Sequence, residues 1–178
     1  MVIFLTSCFL SFSWAVFKVF DNQEVVMPKK MRLLSGLSSL FFIWQLLSLY
    51  KNYPENFLIL TLGVAMLSIS FGLFWWAIPY AKNAKLSLAF TKASSKEILV
   101  EGPYHYVRHP FYTSYLLFWL GGVLVTQNYW LLISVTVMGW FYAKAINSEE
   151  KNLLNGDMGA SYQNYMLKTG AVFPKFFV

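Results

Sequence analysis

The chain has 178 residues, of which 57% are hydrophobic, 20% aromatic and only 12% charged; soluble domains carry about 25% charged residues, so an ordinary soluble domain is excluded. The formal charge is +6, but the basic residues are dispersed between apolar runs, a distribution that fits membrane orientation rather than a nucleic-acid surface. The single cysteine, Cys8, lies inside an apolar run, which excludes a disulfide framework and any cysteine-based metal pattern and makes it a small buried hydrophobe.

Residues 1–20 are apolar apart from Lys18 and a few hydroxyls. They lack the positively charged start and small-residue cleavage site of a signal peptide, and read as a first transmembrane helix. A polar stretch over 21–32, with Pro28, Lys29, Lys30 and Arg32, leads into a second span over 33–50. Asn52 to Asn56 forms a turn, and a third span over 57–80 ends in an aromatic collar of Trp75, Trp76 and Tyr80. Residues 81–110 are a long polar segment. Two further apolar runs, 111–126 and 129–146, are split only by Gln127-Asn128. The first of them would make a helix of roughly 24 Å, short against a hydrocarbon core of about 30 Å, so the pair reads as a tight helical hairpin buried in the bundle. The polar tail over 147–178 carries Leu153, Leu154, Met158, Tyr162, Tyr165 and Met166 at helical spacing. The expected fold is an all-α integral membrane protein: five hydrophobic helices, the last two a tight hairpin, plus a cytoplasmic C-terminal helix.

Five spans put 21–32, 81–110 and the tail on one side. That side holds Lys29, Lys30, Arg32, Lys82, Lys85, Lys92, Lys96, Arg108, Lys151, Lys168 and Lys175, and the other holds only Lys51. The positive-inside rule then places this side in the cytoplasm and the N-terminus outside.

Both histidines and two of the six prolines fall between Glu101 and Tyr112. Gly102-Pro103 sets a turn. Pro110 suits a first helical position, where its missing N–H is no loss. A helix N-terminus there favours a carboxylate or phosphate, Arg108 and His109 add donors, and Tyr104, Tyr106 and Tyr112 offer flat surfaces for a purine. The plainer reading is a membrane-interface belt. The second cluster is Glu149-Glu150-Lys151-Asn152-Leu153. Such carboxylates are commonly solvated helix caps; beside Arg108 and His109 they would suit a hydroxyl pair or an ammonium group. The hairpin brings the two clusters to the same side.

Gly102-Pro103-Tyr104, Tyr106, Arg108-His109-Pro110 and Tyr112, then Glu149 to Leu153, Gly159-Ala160-Ser161-Tyr162-Gln163-Asn164-Tyr165 and Phe173-Pro174, together resemble the isoprenylcysteine carboxyl methyltransferase and phospholipid methyltransferase superfamily. The resemblance covers roughly residues 57–178, a methyltransferase-like core; residues 1–56 add two N-terminal spans, and 1–178 reads as one membrane domain. It implies a multi-span enzyme that uses S-adenosylmethionine at the cytoplasmic face and a lipophilic small-molecule or lipid acceptor from the bilayer, with no metal. Carried over by position, it implies cofactor binding by Leu99, Val100, Gly102, Tyr104, His109, Pro110, Tyr112 and Glu150, with Glu149 as the alternative carboxylate. Arg108 and Glu149 are the candidates for orienting or deprotonating the acceptor. Ser114 stands where the family usually has glycine. Lys144 is the only cation placed to replace an arginine of carboxylate-accepting members, and it lacks the bidentate fork. An isoprenylcysteine-type methyltransferase is the leading expectation. The alternatives are a phospholipid, amine or other lipophile methyltransferase of the same fold, an NADPH-dependent sterol-reductase-like enzyme, and a non-catalytic membrane protein. An aromatic stripe on the fourth run, Phe111, Tyr115, Phe118 and Trp119, would serve either sideways access of the acceptor or helix packing.

Overall fold

The computed structural model describes residues 1–18, 29–51, 54–84 and 98–175. Pro28, the turn residues Asn52 and Tyr53, and the basic residues Lys85, Lys92 and Lys96 lie outside the described residues. The elements in chain order are α1 (Val2–Lys18), α2 (Lys29–Lys51), α3 (Phe57–Asn83), a 3-10 turn (Gly102–His105), α4 (Pro110–Thr126), a second 3-10 turn (Tyr129–Leu131), α5 (Leu132–Leu154) and α6 (Gly159–Lys168). The fold is all-α. Three helical stretches, Lys29–Lys51, Phe57–Asn83 and Tyr129–Leu154, are long and apolar enough to cross a membrane, and Val2–Ala15 and Pro110–Thr126 are shorter apolar helices. Leu40, Ile43, Leu47, Leu62, Ile69 and Ile133 are exposed on the outer faces of α2, α3 and α5, an apolar surface that suits lipid rather than water.

α4 is the central helix. It begins at Pro110 in the first position, with His109 as its N-cap, as the chemistry of proline favours. Most of its length is buried, and its most extensive partner among the described residues is α3. Glycines permit that approach: a Cβ on Gly63 would stand 2.8 Å from Leu124 and Val125, far inside van der Waals contact. Its seventeen residues do not need to span the bilayer alone, because α1, α2, α3 and α5 surround it and share one apolar core.

The hairpin turn is built by its own side chains. Gln127 takes left-handed backbone angles (φ 49°) and ends α4. Its Oε1 accepts from the Glu55 and Asn56 N–H groups at 3.1 Å, and its Nε2 donates to the Asn56 carbonyl at 2.7 Å. Asn56 also caps α3, its Oδ1 accepting from Ile59 N–H at 3.1 Å. Asn128 Nδ2 donates to Ser48 Oγ at 2.9 Å, tying the same end to α2.

α5 differs from the expected run of 129–146. It continues through Asn147 to Leu154, so Glu149 and Glu150 belong to its last turns rather than to a tail. From Asn147 to Asn155 there is no glycine or proline, so the helix runs on until the chain nears Gly156.

Candidate active site

The end of the bundle that carries Lys18, Lys29, Lys82 and Lys151 also holds the polar cluster. Arg108 and His109, just before α4, meet Glu149 and Glu150 on α5. Arg108 Nε and Nη2 donate to Glu150 Oε1 at 2.9 and 2.8 Å, with the two side chains only 8% and 12% exposed. His109 Nε2 lies 3.1 Å from the same oxygen, and its Nδ1 lies 3.6 Å from Glu149 Oε2. Tyr112, one turn into α4, donates its hydroxyl to Glu149 Oε1 at 2.6 Å. The sequence-predicted residues Arg108, His109, Tyr112, Glu149 and Glu150 are therefore brought together.

The helical phase of α5 explains this. Tyr142, Ala145 and Ile146 are buried on its inward face, and Glu149 and Glu150 follow at the three- and four-residue spacing of one face. Carboxylates near a helix C-terminus oppose the macrodipole, so these two gain nothing as caps of α5; they face the N-terminus of α4, where negative charge is favoured. Lys144 falls off this face. It is exposed, with Nζ 3.9 Å from the Trp140 ring centroid, and does not join the cluster.

The two carboxylates are not equivalent. Glu150 Oε1 receives Arg108, His109 and, at 3.5 Å, the Tyr162 hydroxyl, whereas the Glu149 side chain is 31% exposed. Arg108 also donates through Nη1 to the Thr169 carbonyl. A short strap of chain follows: Arg108 N–H donates to Gly170 O at 2.8 Å, His109 N–H to Ala171 O at 3.0 Å and Thr113 Oγ1 to Val172 O at 3.0 Å. Tyr162, Thr169 and the strap contribute contacts that sequence reasoning missed. The only signal was the tyrosine spacing near Tyr162, which carries no statement of what it touches.

The 3-10 turn builds the other wall. Gly102 has φ +58°, and a Cβ there would overlap the Tyr80 ring of α3. Pro103 and Tyr104 are buried. The Tyr165 hydroxyl donates to the Tyr104 carbonyl. The Tyr104 hydroxyl is itself buried and has no hydrogen-bond partner among the described residues. Burial, with Tyr165 and Glu149 nearby, pushes its pKa up, so it is a neutral donor. Pro110 is buried, while Leu99 and Val100 lie in the chain leading into the turn, Leu99 half-buried and Val100 exposed. Tyr106 is exposed and its ring packs against Trp76, 6.0 Å between centroids, away from the cluster.

Beneath the cluster the rings of Tyr112, Tyr115 and Tyr142 stand 5.5 to 6.4 Å apart. Trp119 Nε1 donates to the Tyr142 hydroxyl at 3.1 Å. Of the stripe, Phe111, Phe118 and Trp119 are buried among neighbouring helices and Tyr115 is half-buried.

A family profile described as phospholipid methyltransferase matches residues 58–159, which is more than half of the chain and takes in Arg108, His109, Tyr112, Glu149 and Glu150. The chain belongs to the phospholipid methyltransferase family. No curated protein matches the chain. The family sits in the superfamily of membrane methyltransferases that the motifs resemble, and membership implies a multi-pass membrane methyltransferase for lipid-type substrates. α1, α2, most of α6 and the strap lie outside the matched residues. Among the described residues no group of His, Cys, Asp and Glu could hold a metal ion.

Proposed function

We propose that this protein transfers a methyl group from S-adenosylmethionine to a lipophilic acceptor that presents an amine at the cytoplasmic face of the membrane. The carrying observation is the pair of carboxylates at the N-terminus of α4. Arg108 offsets one of them, which leaves the second carboxylate to favour a cation.

The residues fit the cofactor. The buried Tyr104 hydroxyl lacks a partner among the described residues, and the bare Cα of Gly102 lets the chain turn tightly against Tyr80; both are features of a binding wall. Leu99, Val100, Gly102, Tyr104, His109, Pro110, Tyr112 and Glu150 are the residues we assign to holding it. When bound, it supplies an electrophilic methyl group on a sulfonium. Glu150 fixes Arg108 and His109. Glu149, oriented by Tyr112 and open on one side, holds the acceptor ammonium and takes up its proton. Arg108, locked by Glu150 and the Thr169 carbonyl, sets the orientation of both carboxylates. The tyrosine rings beneath exclude water. In this reading residues 57–178 are the catalytic core and the first two helices serve the acceptor.

The isoprenylcysteine-type alternative needs a cation for the substrate carboxylate. Lys144 is directed elsewhere and Arg108 is already paired, which supports an amine acceptor instead. Among the described residues the cluster offers no unpaired cation for the 2′-phosphate of NADPH. Titration of the purified protein with S-adenosylmethionine and, separately, with NADPH tests the assignment. Labelled S-adenosylmethionine with a membrane lipid extract then identifies the acceptor. Binding of NADPH alone, or of neither, overturns the proposal.

A further inference from the structure

Between the N-terminal helix pair and α4–α5 lies a cavity of about 280 Å³. It lies one layer below the polar cluster, because Tyr115 and Tyr142 both line it and both pack against the Tyr112 ring. Its far wall comes from α1 and α2, through Phe12, Ser35 and Ser38. The cavity exists because α2 places Ser35, Ser38 and Ser39 at i, i+3 and i+4, one face of a helix, opposite the large rings of Phe118 and Trp119. The serines add little polarity: Ser38 Oγ donates to the Leu34 carbonyl at 2.8 Å and Ser39 Oγ to the Ser35 carbonyl at 3.0 Å. What they provide is room. At the outer rim Ser39 is exposed, so the space opens toward the lipid side of α2.

We propose that this cavity holds the hydrocarbon end of the methyl acceptor, and that the serine face of α2 sets how much chain fits. The inference rests on the methyl-transfer reading and adds to it the part of the protein that selects the acceptor. A cavity of about 150 Å³ takes a benzene, so this one takes on the order of ten carbon atoms. That is one chain segment, not two acyl chains. The walls are apolar rings and serine hydroxyls turned onto their own helix, so a hydrocarbon is favoured over a polar guest. Tyr115 and Tyr142 separate the end of such a chain by one layer of rings from Tyr112, whose hydroxyl meets Glu149, so the chain ends on the floor of the polar cluster. A resident structural lipid would have no reason to abut the polar cluster.

The test uses the full chain in detergent micelles with a phosphatidylethanolamine that carries a diazirine in one acyl chain. Photolabelling of wild type should fall on Phe12, Ser38 and Trp119. In Ser35→Leu and Ser38→Leu it should drop at least tenfold at those sites, while S-adenosylmethionine binds as in wild type, which also shows that the variants are folded. Ser38→Ala, which keeps the space, should label as wild type does. In a series of alkylamine acceptors, turnover should rise about fourfold for each added methylene until the cavity is full. Ser38→Leu adds two heavy atoms and should bring the plateau about two methylenes earlier; a resident lipid would leave the plateau where it is. Label confined to outward residues such as Ile43 and Leu62, or undiminished in both leucine variants, overturns the tail site. A flat cofactor titration with cavity labelling intact would instead leave the tail site standing and remove the methyl-transfer reading.

Discussion

Arg108 and Glu150 are 42 positions apart in the chain and meet through two donors on one carboxylate oxygen, at 2.9 and 2.8 Å. The pair joins the loop before α4 to the last turns of α5, and the Thr169 carbonyl adds the strap. Removal of one partner strands a mostly buried charge, which costs about 3 kcal/mol. Glu150→Ala should therefore lower the thermal midpoint by roughly 6–12 °C for a chain of this size. Glu149→Ala, whose side chain is more open, should lower it by less than half as much. Equal losses in a melting experiment in detergent would contradict the division into anchor and working carboxylate.

Tyr104→Phe separates a binding hydroxyl from a packing ring. The hydroxyl is buried without a partner among the described residues, so its removal should leave the free protein as stable as before, or more so. S-adenosylmethionine affinity should fall by roughly 10-fold, the equivalent of a hydrogen bond of about 1.4 kcal/mol. Calorimetric titration alongside a melting curve gives both numbers. Unchanged affinity would mean that the hydroxyl does not face the cofactor.

Gly102→Ala meets two obstacles at once. The backbone is left-handed at φ +58°, and the new methyl would overlap the Tyr80 ring. The left-handed backbone alone costs about 1–2 kcal/mol. Cofactor binding should weaken, and Tyr80→Ala in the same chain should recover part of the loss by freeing the space. No recovery in the double variant would place the whole effect in the backbone.

Single cysteines at Asn56 and Asn164 test orientation, in a Cys8→Ala background. Asn56 lies at the Gln127 end of the bundle and Asn164 on α6, at the end of the polar cluster. A membrane-impermeant maleimide should label position 56 in intact cells and position 164 only after the membrane is opened, as the basic residues require. The reverse pattern would invert the topology.

The helices were legible because apolar runs of this length have few alternatives. The central place of α4 was legible from its shortness, and the meeting of His109 with Glu150 from the two-residue hairpin turn. The continuation of α5 was not, because a fall in hydropathy at Asn147 marks the edge of an apolar run and not the end of a helix. The position of Lys144 could have been read from phase, since it stands out of step with Tyr142, Ala145 and Glu149. The contacts of Tyr162, Tyr165 and Thr169 could not. They join segments some sixty positions apart, or depend on the angle at which α6 returns to α5, and no local pattern encodes that angle.

The strap has a consequence for biosynthesis. Arg108 reaches the membrane well before residues 169–172 are made, yet its second partner and the backbone partner of His109 come from those residues. Until residues 169–172 have emerged, the loop before α4 has nothing along its other edge, whereas α3 and α4 are already complete. The polar pocket is thus finished last, once residues 169–172 have folded back against the loop before α4.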